Sequence, residues 1–426
     1  MDKVKIHGGV PLRGTVETGG SKNAALPILI SSLLASKPCR FTRVPDLQDV
    51  RTTLKLLAHM GVQSTPDTDR NAVTLDASKL TSQEAPYDLV RTMRASVVVL
   101  GPLVARYGYA KVSLPGGCAI GARPINFHLT GLEKLGAQID LQDGYVIARA
   151  KRLRGARVAF EFPSVGATEN ILMAAALADG ESILENCARE PEIVDLARTL
   201  RAMGAQIEGE GSETIRVQGK TELAGCDYEV MGDRIEAGTF LAAAFATGGE
   251  VTVRGLDPEF LEAVLARFEE AGAKVHRGTD RTIRLESHGQ RPQAVDVTTL
   301  PYPGFPTDMQ AQFMSVMAVA DGVSILRETI FENRFMHVPE LARLGADITI
   351  RGNTAMIKGV SQLSGAPLMA TDLRASASLI IGGLCAQGET SVSRIYHLDR
   401  GYERMEEKLR SLGARIERIK ESGGKA

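Results

Sequence analysis

A helix-ending tripeptide recurs six times along the chain: Met60-Gly61-Val62, Leu135-Gly136-Ala137, Met203-Gly204-Ala205, Ala271-Gly272-Ala273, Leu344-Gly345-Ala346 and Leu412-Gly413-Ala414. The glycines stand 75, 68, 68, 73 and 68 residues apart. Glycine just beyond a helical pattern supplies the left-handed residue that stops a helix. Upstream of each lies the same grammar. A helix of small and apolar residues comes first, as in Ala24–Ala35, Ser96–Ala105, Ile171–Ala178, Phe240–Ala246, Phe313–Ala320 and Ser378–Ala386. A turn, an alternating strand such as Glu181-Ser182-Ile183-Leu184, and an amphipathic helix such as 191–203 follow. A pair of short strands closes the unit, which therefore reads as βαβαββ. A helix that is apolar on every side is a buried one. Six units split three and three give an α/β protein of two inside-out barrels, with helices within and sheets without. A period near 70 residues is too long for the usual solenoids. At 426 residues the chain is also long enough for two cores.

The bulk composition excludes several classes. A net charge of −1 gives no global attraction to nucleic acid or anionic membrane. The first residues, Met1 to Ile6, do not read as a signal peptide, and apolar runs such as 24–35 are too short to span a bilayer. Five cysteines, odd in number and with no CxxC, argue against a disulfide framework or zinc site. A reducing, cytoplasmic setting is expected, with neither metal nor cofactor; the oligomeric state is left open.

One repeat departs from the others. From turn glycine to capping glycine the distance is 24 residues for Gly180–Gly204, 23 for Gly249–Gly272 and Gly322–Gly345, and 25 for Gly388–Gly413. From Gly108 to Gly136 it is 28, and the excess falls in 114–124, Leu-Pro-Gly-Gly-Cys-Ala-Ile-Gly-Ala-Arg-Pro. Repeat proteins collect insertions in loops on the working face. Cys118 sits there between Gly117 and Ala119, five residues before Arg123. Such a loop cannot bury the thiol, and a neighbouring cation favours the thiolate. The other four cysteines fit small core residues.

Cations recur at equivalent points: Arg43, Arg123, Arg189, Arg334 and Arg400 after the second strand, and Lys22, Arg94 and Arg374 by the buried helices. Converging with helix N-termini, they imply a ligand rich in phosphate and carboxylate. Asp308 begins a buried helix, where spacing alone allows either a first-turn acid or a general base.

Together these segments resemble the UDP-N-acetylglucosamine 1-carboxyvinyltransferase family of enolpyruvyl transferases. The matching stretches are 20–27 (GSKNAALP), 93–96 (MRAS), 115–124 (PGGCAIGARP), 164–168 (SVGAT), 305–310 (FPTDMQ), 331–335 (FENRF), 372–376 (DLRAS) and 399–403 (DRGYE). The resemblance implies two discontinuous domains, 22–231 and 1–21 with 232–426, hinged at the two crossings around an active-site cleft. It implies transfer of the enolpyruvyl group of phosphoenolpyruvate to the 3-hydroxyl of UDP-N-acetylglucosamine, the committed step of peptidoglycan synthesis. Cys118 would be the acid and the target of fosfomycin, and Asp308 the base. Lys22, Arg123 and Arg400 would clamp phosphoenolpyruvate, with Arg334 and Arg374 near. Asn23, Arg94, Ser164, Val165, Gly166, Asp308 and Ile330 would meet the nucleotide sugar, and Arg123, Pro124, Ile125, Asn126 and Phe127 its uridine end. Asn126 stands where the family more often has Asp, which alters any contact that needs a carboxylate acceptor. A transferase acting on shikimate 3-phosphate is the rival; the Pro-Gly-Gly-Cys loop argues against it. A non-catalytic paralogue that binds UDP-sugars would be expected to lose Cys118, Asp308 or Lys22, and all three are present.

Overall fold

A computed structural model of the chain describes residues 2–91, 93–114 and 125–420. They form two compact units: one from residues up to Gly19 and from Gly232 on, the other from residues 20–231. The first is called the split unit below and the second the continuous unit.

In each unit three four-stranded sheets accompany three buried helices. The sheet Arg157–Ala159, Glu181–Glu185, Thr214–Gln218, Gln206–Glu208 shows the plan: one parallel pairing, then two antiparallel ones. Three sheets borrow a strand from elsewhere in the chain. Asp227–Glu229 pairs parallel with Cys39–Thr42 in the continuous unit. In the split unit Arg13–Glu17 pairs parallel with Glu250–Arg254, and Lys3–His7 lies antiparallel between Glu389–Ser393 and Arg415–Ile419. The βαβαββ order is thus kept in space while the chain enters it at a shifted point.

The central helices are buried because they carry no polar face. In Lys22–Ser31 every residue from Ala24 to Ser31 is buried, and in Arg234–Ala246 every residue from Arg234 to Phe245. Their counterparts are Val165–Ala175, Gln310–Ala318, Leu373–Cys385 and Leu100–Tyr107, the last preceded by a 3-10 turn over Arg94–Val99. The continuous unit fills its core mainly with aliphatic side chains, Phe41 and Phe160 being its buried aromatics. The split unit instead builds an aromatic run. Phe268 meets Phe245 edge-on at 5.8 Å and Phe313 face-on at 6.1 Å, and Phe305 meets Phe313 at 5.3 Å. Each such pair adds about 1 kcal/mol beyond area burial.

All six tripeptide glycines have positive φ, between 93° and 101°. The next N–H reaches back five residues to a buried carbonyl: Val62 to Leu57, Ala137 to Leu132, Ala205 to Leu200, Ala273 to Phe268, Ala346 to Leu341 and Ala414 to Leu409. These are six Schellman caps, with Leu or Phe anchoring each. The turn glycine expected at 249 is Gly248 instead, at φ 73°. Gly249 is glycine for another reason: a Cβ there would stand 2.1 Å from the Leu12 carbonyl oxygen.

The C-terminal ends of the buried helices leave carbonyls without helical donors. One arginine in each unit donates at one such end and to a carbonyl of a loop that follows a strand. Arg106 donates to the Leu33 and Ala77 carbonyls at 2.8 and 3.1 Å. Arg291 donates to Val319, Ala320 and Val360 at 3.2, 3.0 and 3.0 Å.

Candidate active site

The opposite, N-terminal ends of the buried helices carry the residues singled out by sequence, and each unit holds its own set. In the continuous unit Ser21 caps Lys22–Ser31, its Oγ accepting the Ala24 N–H at 3.3 Å. Lys22 and Asn23 are thereby fixed as the first two helical residues. The Lys22 ammonium lies 3.0 Å from the Asp49 carboxylate, whose side chain is 4% exposed. Ser164 repeats the cap on Val165–Ala175, accepting the Ala167 N–H at 3.4 Å, so Val165 and Gly166 open that helix. Arg94 opens the 3-10 turn that leads into Leu100–Tyr107. Buried Ile125 precedes the Asn126–Lys134 helix, with Asn126 exposed and Phe127 half-buried.

His128 ties three of these segments together. Its Nδ1 lies 3.0 Å from Asn170 Nδ2, and Asn170 Oδ1 accepts the Gly101 N–H at 2.7 Å. The amide donates to Nδ1, which leaves the proton of the neutral ring on Nε2. A Cβ on Gly166 would come within 3.4 Å of the ring, so the glycine allows the helix N-terminus to lie against His128. Burial, and then the Arg94 charge, push the His128 pKa down to about 4. The ring is a neutral strut.

The split unit is built differently. Asp308 lies in the Thr307–Met309 turn that leads into Gln310–Ala318. Its Oδ1 accepts from Arg334 at 2.7 Å, and its Oδ2 accepts twice from Arg374, at 3.2 and 3.0 Å. Arg334 is 5% exposed and Arg374 1%. Arg374 owes its place to Asp372, whose Oδ1 accepts the Arg374 and Ala375 N–H groups and caps Leu373–Cys385. The Arg374 guanidinium also packs 5.4 Å from the Tyr402 ring centroid, and Thr239 and Gln312 hold the Tyr402 hydroxyl. Burial alone would lower the Arg374 pKa; the Asp308 charge, with Tyr402 and Asp233, raises it above the ordinary arginine value. Arg400 ends the Ile395–Arg400 turn and is half-buried, as is Ile330.

Asp308, Arg334 and Arg374, 26 and 66 residues apart, are therefore one cluster, and both arginines bind the carboxylate directly. Cys118, Arg123 and Pro124 lie outside the described residues. Sequence reasoning passed over Asp49, His128, Asn170 and the Asp372 cap. A buried acid in the first turn of the Gln48–His59 helix was a usable signal for Asp49; the others depend on long-range pairing. Among the described residues no group of His, Cys, Asp and Glu is arranged to hold a metal, and no helix is long and apolar enough to cross a membrane. Helix N-termini, buried cations and a carboxylate suit an anionic substrate that must lose a proton.

Comparison with known proteins bears on which substrate. Residues 6–409 match the family model of EPSP synthase (3-phosphoshikimate 1-carboxyvinyltransferase). Among curated relatives, a UDP-N-acetylglucosamine 1-carboxyvinyltransferase of Nitratidesulfovibrio vulgaris is 59% identical, covering 99% of this chain and 100% of its own. Those of Shewanella amazonensis and Magnetococcus marinus are 57% and 56% identical, over 99% and 98% of this chain and all of theirs. The crystal structure of the enolpyruvyl transferase NikO from Streptomyces tendae aligns with TM-score 0.87 at 26% identity, over 98% of both chains. EPSP synthase from Acinetobacter baumannii, 19% identical, shares the fold with TM-score 0.75 over 99% of this chain and 100% of its own.

Proposed function

The chain belongs to the enolpyruvyl transferase family, among the UDP-N-acetylglucosamine 1-carboxyvinyltransferases, and we propose that it transfers the enolpyruvyl group of phosphoenolpyruvate to the 3-hydroxyl of UDP-N-acetylglucosamine. The observation that carries the choice of acceptor is identity of 56% or more, over nearly the whole chain, with relatives of that name. The Asp308 cluster supports the chemistry.

The donor is activated by a proton on C3, supplied by the Cys118 thiol, which leaves cation character at C2. Asp308 accepts the proton of the 3-hydroxyl as its oxygen bonds to C2. The product is a tetrahedral phospho-ketal. Loss of phosphate from C2, with return of a C3 proton to the Cys118 thiolate and of the Asp308 proton to the departing phosphate, restores the enol ether and both side chains. Lys22, Arg123 and Arg400 hold phosphate and carboxylate through charge-assisted bonds, which fix orientation as well as charge. Asn23, Arg94, Ile330 and the capped segment Ser164–Val165–Gly166 receive the nucleotide sugar; Pro124 to Phe127 receive its uridine end. The two arginines on Asp308 hold the base in one orientation, which matters because a misplaced base loses rate steeply. In the cell this reaction would begin peptidoglycan synthesis in the cytoplasm.

The test is phosphate release from phosphoenolpyruvate with UDP-N-acetylglucosamine or shikimate 3-phosphate as acceptor. Release with the nucleotide sugar alone is expected, and Cys118→Ala should abolish it. Release only with shikimate 3-phosphate would overturn the acceptor. Binding of the nucleotide sugar without any release would point to a non-catalytic paralogue.

A further inference from the structure

We infer that Glu328 is a positioning residue for the acceptor sugar, setting both the direction of the Arg334–Asp308 pair and the backbone at Ile330. The inference rests on the proposed roles of Asp308, Arg334 and Ile330. Glu328 directly follows the strand Val323–Arg327 and is 2% exposed. Its Oε1 accepts the Ile330 N–H at 2.8 Å, the Phe331 N–H at 3.1 Å and the Thr299 hydroxyl at 2.9 Å. Its Oε2 accepts the Thr307 hydroxyl at 2.9 Å. Among the described residues no lysine or arginine pairs with it. A buried carboxylate with donors but no cation is costly to keep, so a stability role accounts poorly for it.

The polarity of the chain accounts for it better. A threonine hydroxyl has one proton. Thr307 gives that proton to Glu328, so its lone pairs face Arg334 Nη1, which donates to it at 2.9 Å. The other terminal nitrogen of Arg334 then meets Asp308 Oδ1 at 2.7 Å. One carboxylate thus orients a hydroxyl, a guanidinium and the proposed base in turn.

The repeats supply an independent observation. The residue after the equivalent strand is left-handed in four other repeats: Arg43, Asn186, Gly255 and Arg394, with φ of 55°, 54°, 88° and 58°. Glu328 breaks that pattern; its carboxylate organises the turn through the Ile330 and Phe331 N–H groups instead.

Glu328→Gln keeps the shape and the Oε1 acceptor but puts an NH2 donor where Oε2 received the Thr307 proton. Steady-state kinetics on Glu328→Gln, Thr307→Val and Thr307→Ser, each with a thermal melt, test the inference. For Glu328→Gln and Thr307→Val, kcat/KM for UDP-N-acetylglucosamine should fall roughly 10-fold or more, as for a lost hydrogen bond to a charged group, while KM for phosphoenolpyruvate stays within about twofold. Thr307→Ser, which retains the hydroxyl, should recover most of that loss. Wild-type kinetics in both impaired variants would overturn the inference. So would equal loss toward both substrates in step with the melting temperature, or a serine variant no better than valine. A wild-type chain that releases no phosphate with either acceptor overturns the functional reading itself, and this one with it.

Discussion

The continuous and split units execute one architectural plan with different chemistry at the N-terminal ends of their helices. The continuous unit has two serine-capped helix starts, the Lys22–Asp49 pair and a neutral His128–Asn170–Gly101 bridge. The split unit presents a closed ionic cluster, with two nearly inaccessible arginines on one carboxylate. Helix-end donors bind anions of various shapes. A carboxylate held by two guanidinium groups offers oxygens of fixed orientation as a base. The proposed base, Asp308, belongs to the closed cluster.

The most severe way to break that contrast is Asp308→Ala. It strands Arg334 and Arg374 as buried charges without their partner, so unfolding free energy should drop by about 3–5 kcal/mol as well as turnover vanishing. Urea unfolding and single-turnover assays would read both; near-native stability would mean that the cluster is not energetically closed. Next in size is the acid response. His128 in the continuous unit and His337 in the split unit both have pKa values pushed down to about 4, chiefly by burial. Their folded pKa lies below the unfolded value, so the stability they contribute is present above pH ~6.5 and is lost as pH falls toward 4. Each can account for up to about 3 kcal/mol over that window. His128→Gln should remove one share of the acid loss and leave the other, which urea midpoints at pH 4.5 and 7 would show; an unchanged pH profile would contradict the strut. The smallest effect is expected at the other pole. Arg106→Met and Arg291→Met leave two and three carbonyls without these donors, costing about 2 kcal/mol each because both sites are partly exposed. Hydrogen exchange should localise each loss to its own unit; spread across both would argue against two separately packed cores.

The repeat architecture was legible because it is local. A Schellman cap needs only glycine after an amphipathic helix, and all six of the glycines picked from sequence adopt it. The buried helices were legible for the same reason, since their apolar composition is contiguous. What escaped was pairing across the chain. Nothing near Thr307 in sequence announces Glu328, and nothing near Leu33 announces Arg106. The Asp308 cluster falls between these cases: its members were each singled out as site residues, yet their direct contact depends on three different helices and turns meeting.

The strand Lys3–His7 has consequences for synthesis. Its hydrogen-bonding neighbours are Glu389–Ser393 and Arg415–Ile419, so it cannot pair until residues roughly 400 positions later have been made. Residues 20–231, by contrast, contain every strand of their own three sheets. The continuous unit can close while translation proceeds, whereas the split unit holds an unpaired apolar-alternating strand until residues 389–419 emerge. Domains made first fold first, and exposed edges invite wrong partners. Any misfolding during synthesis should accordingly centre on residues 1–19 and 232–426.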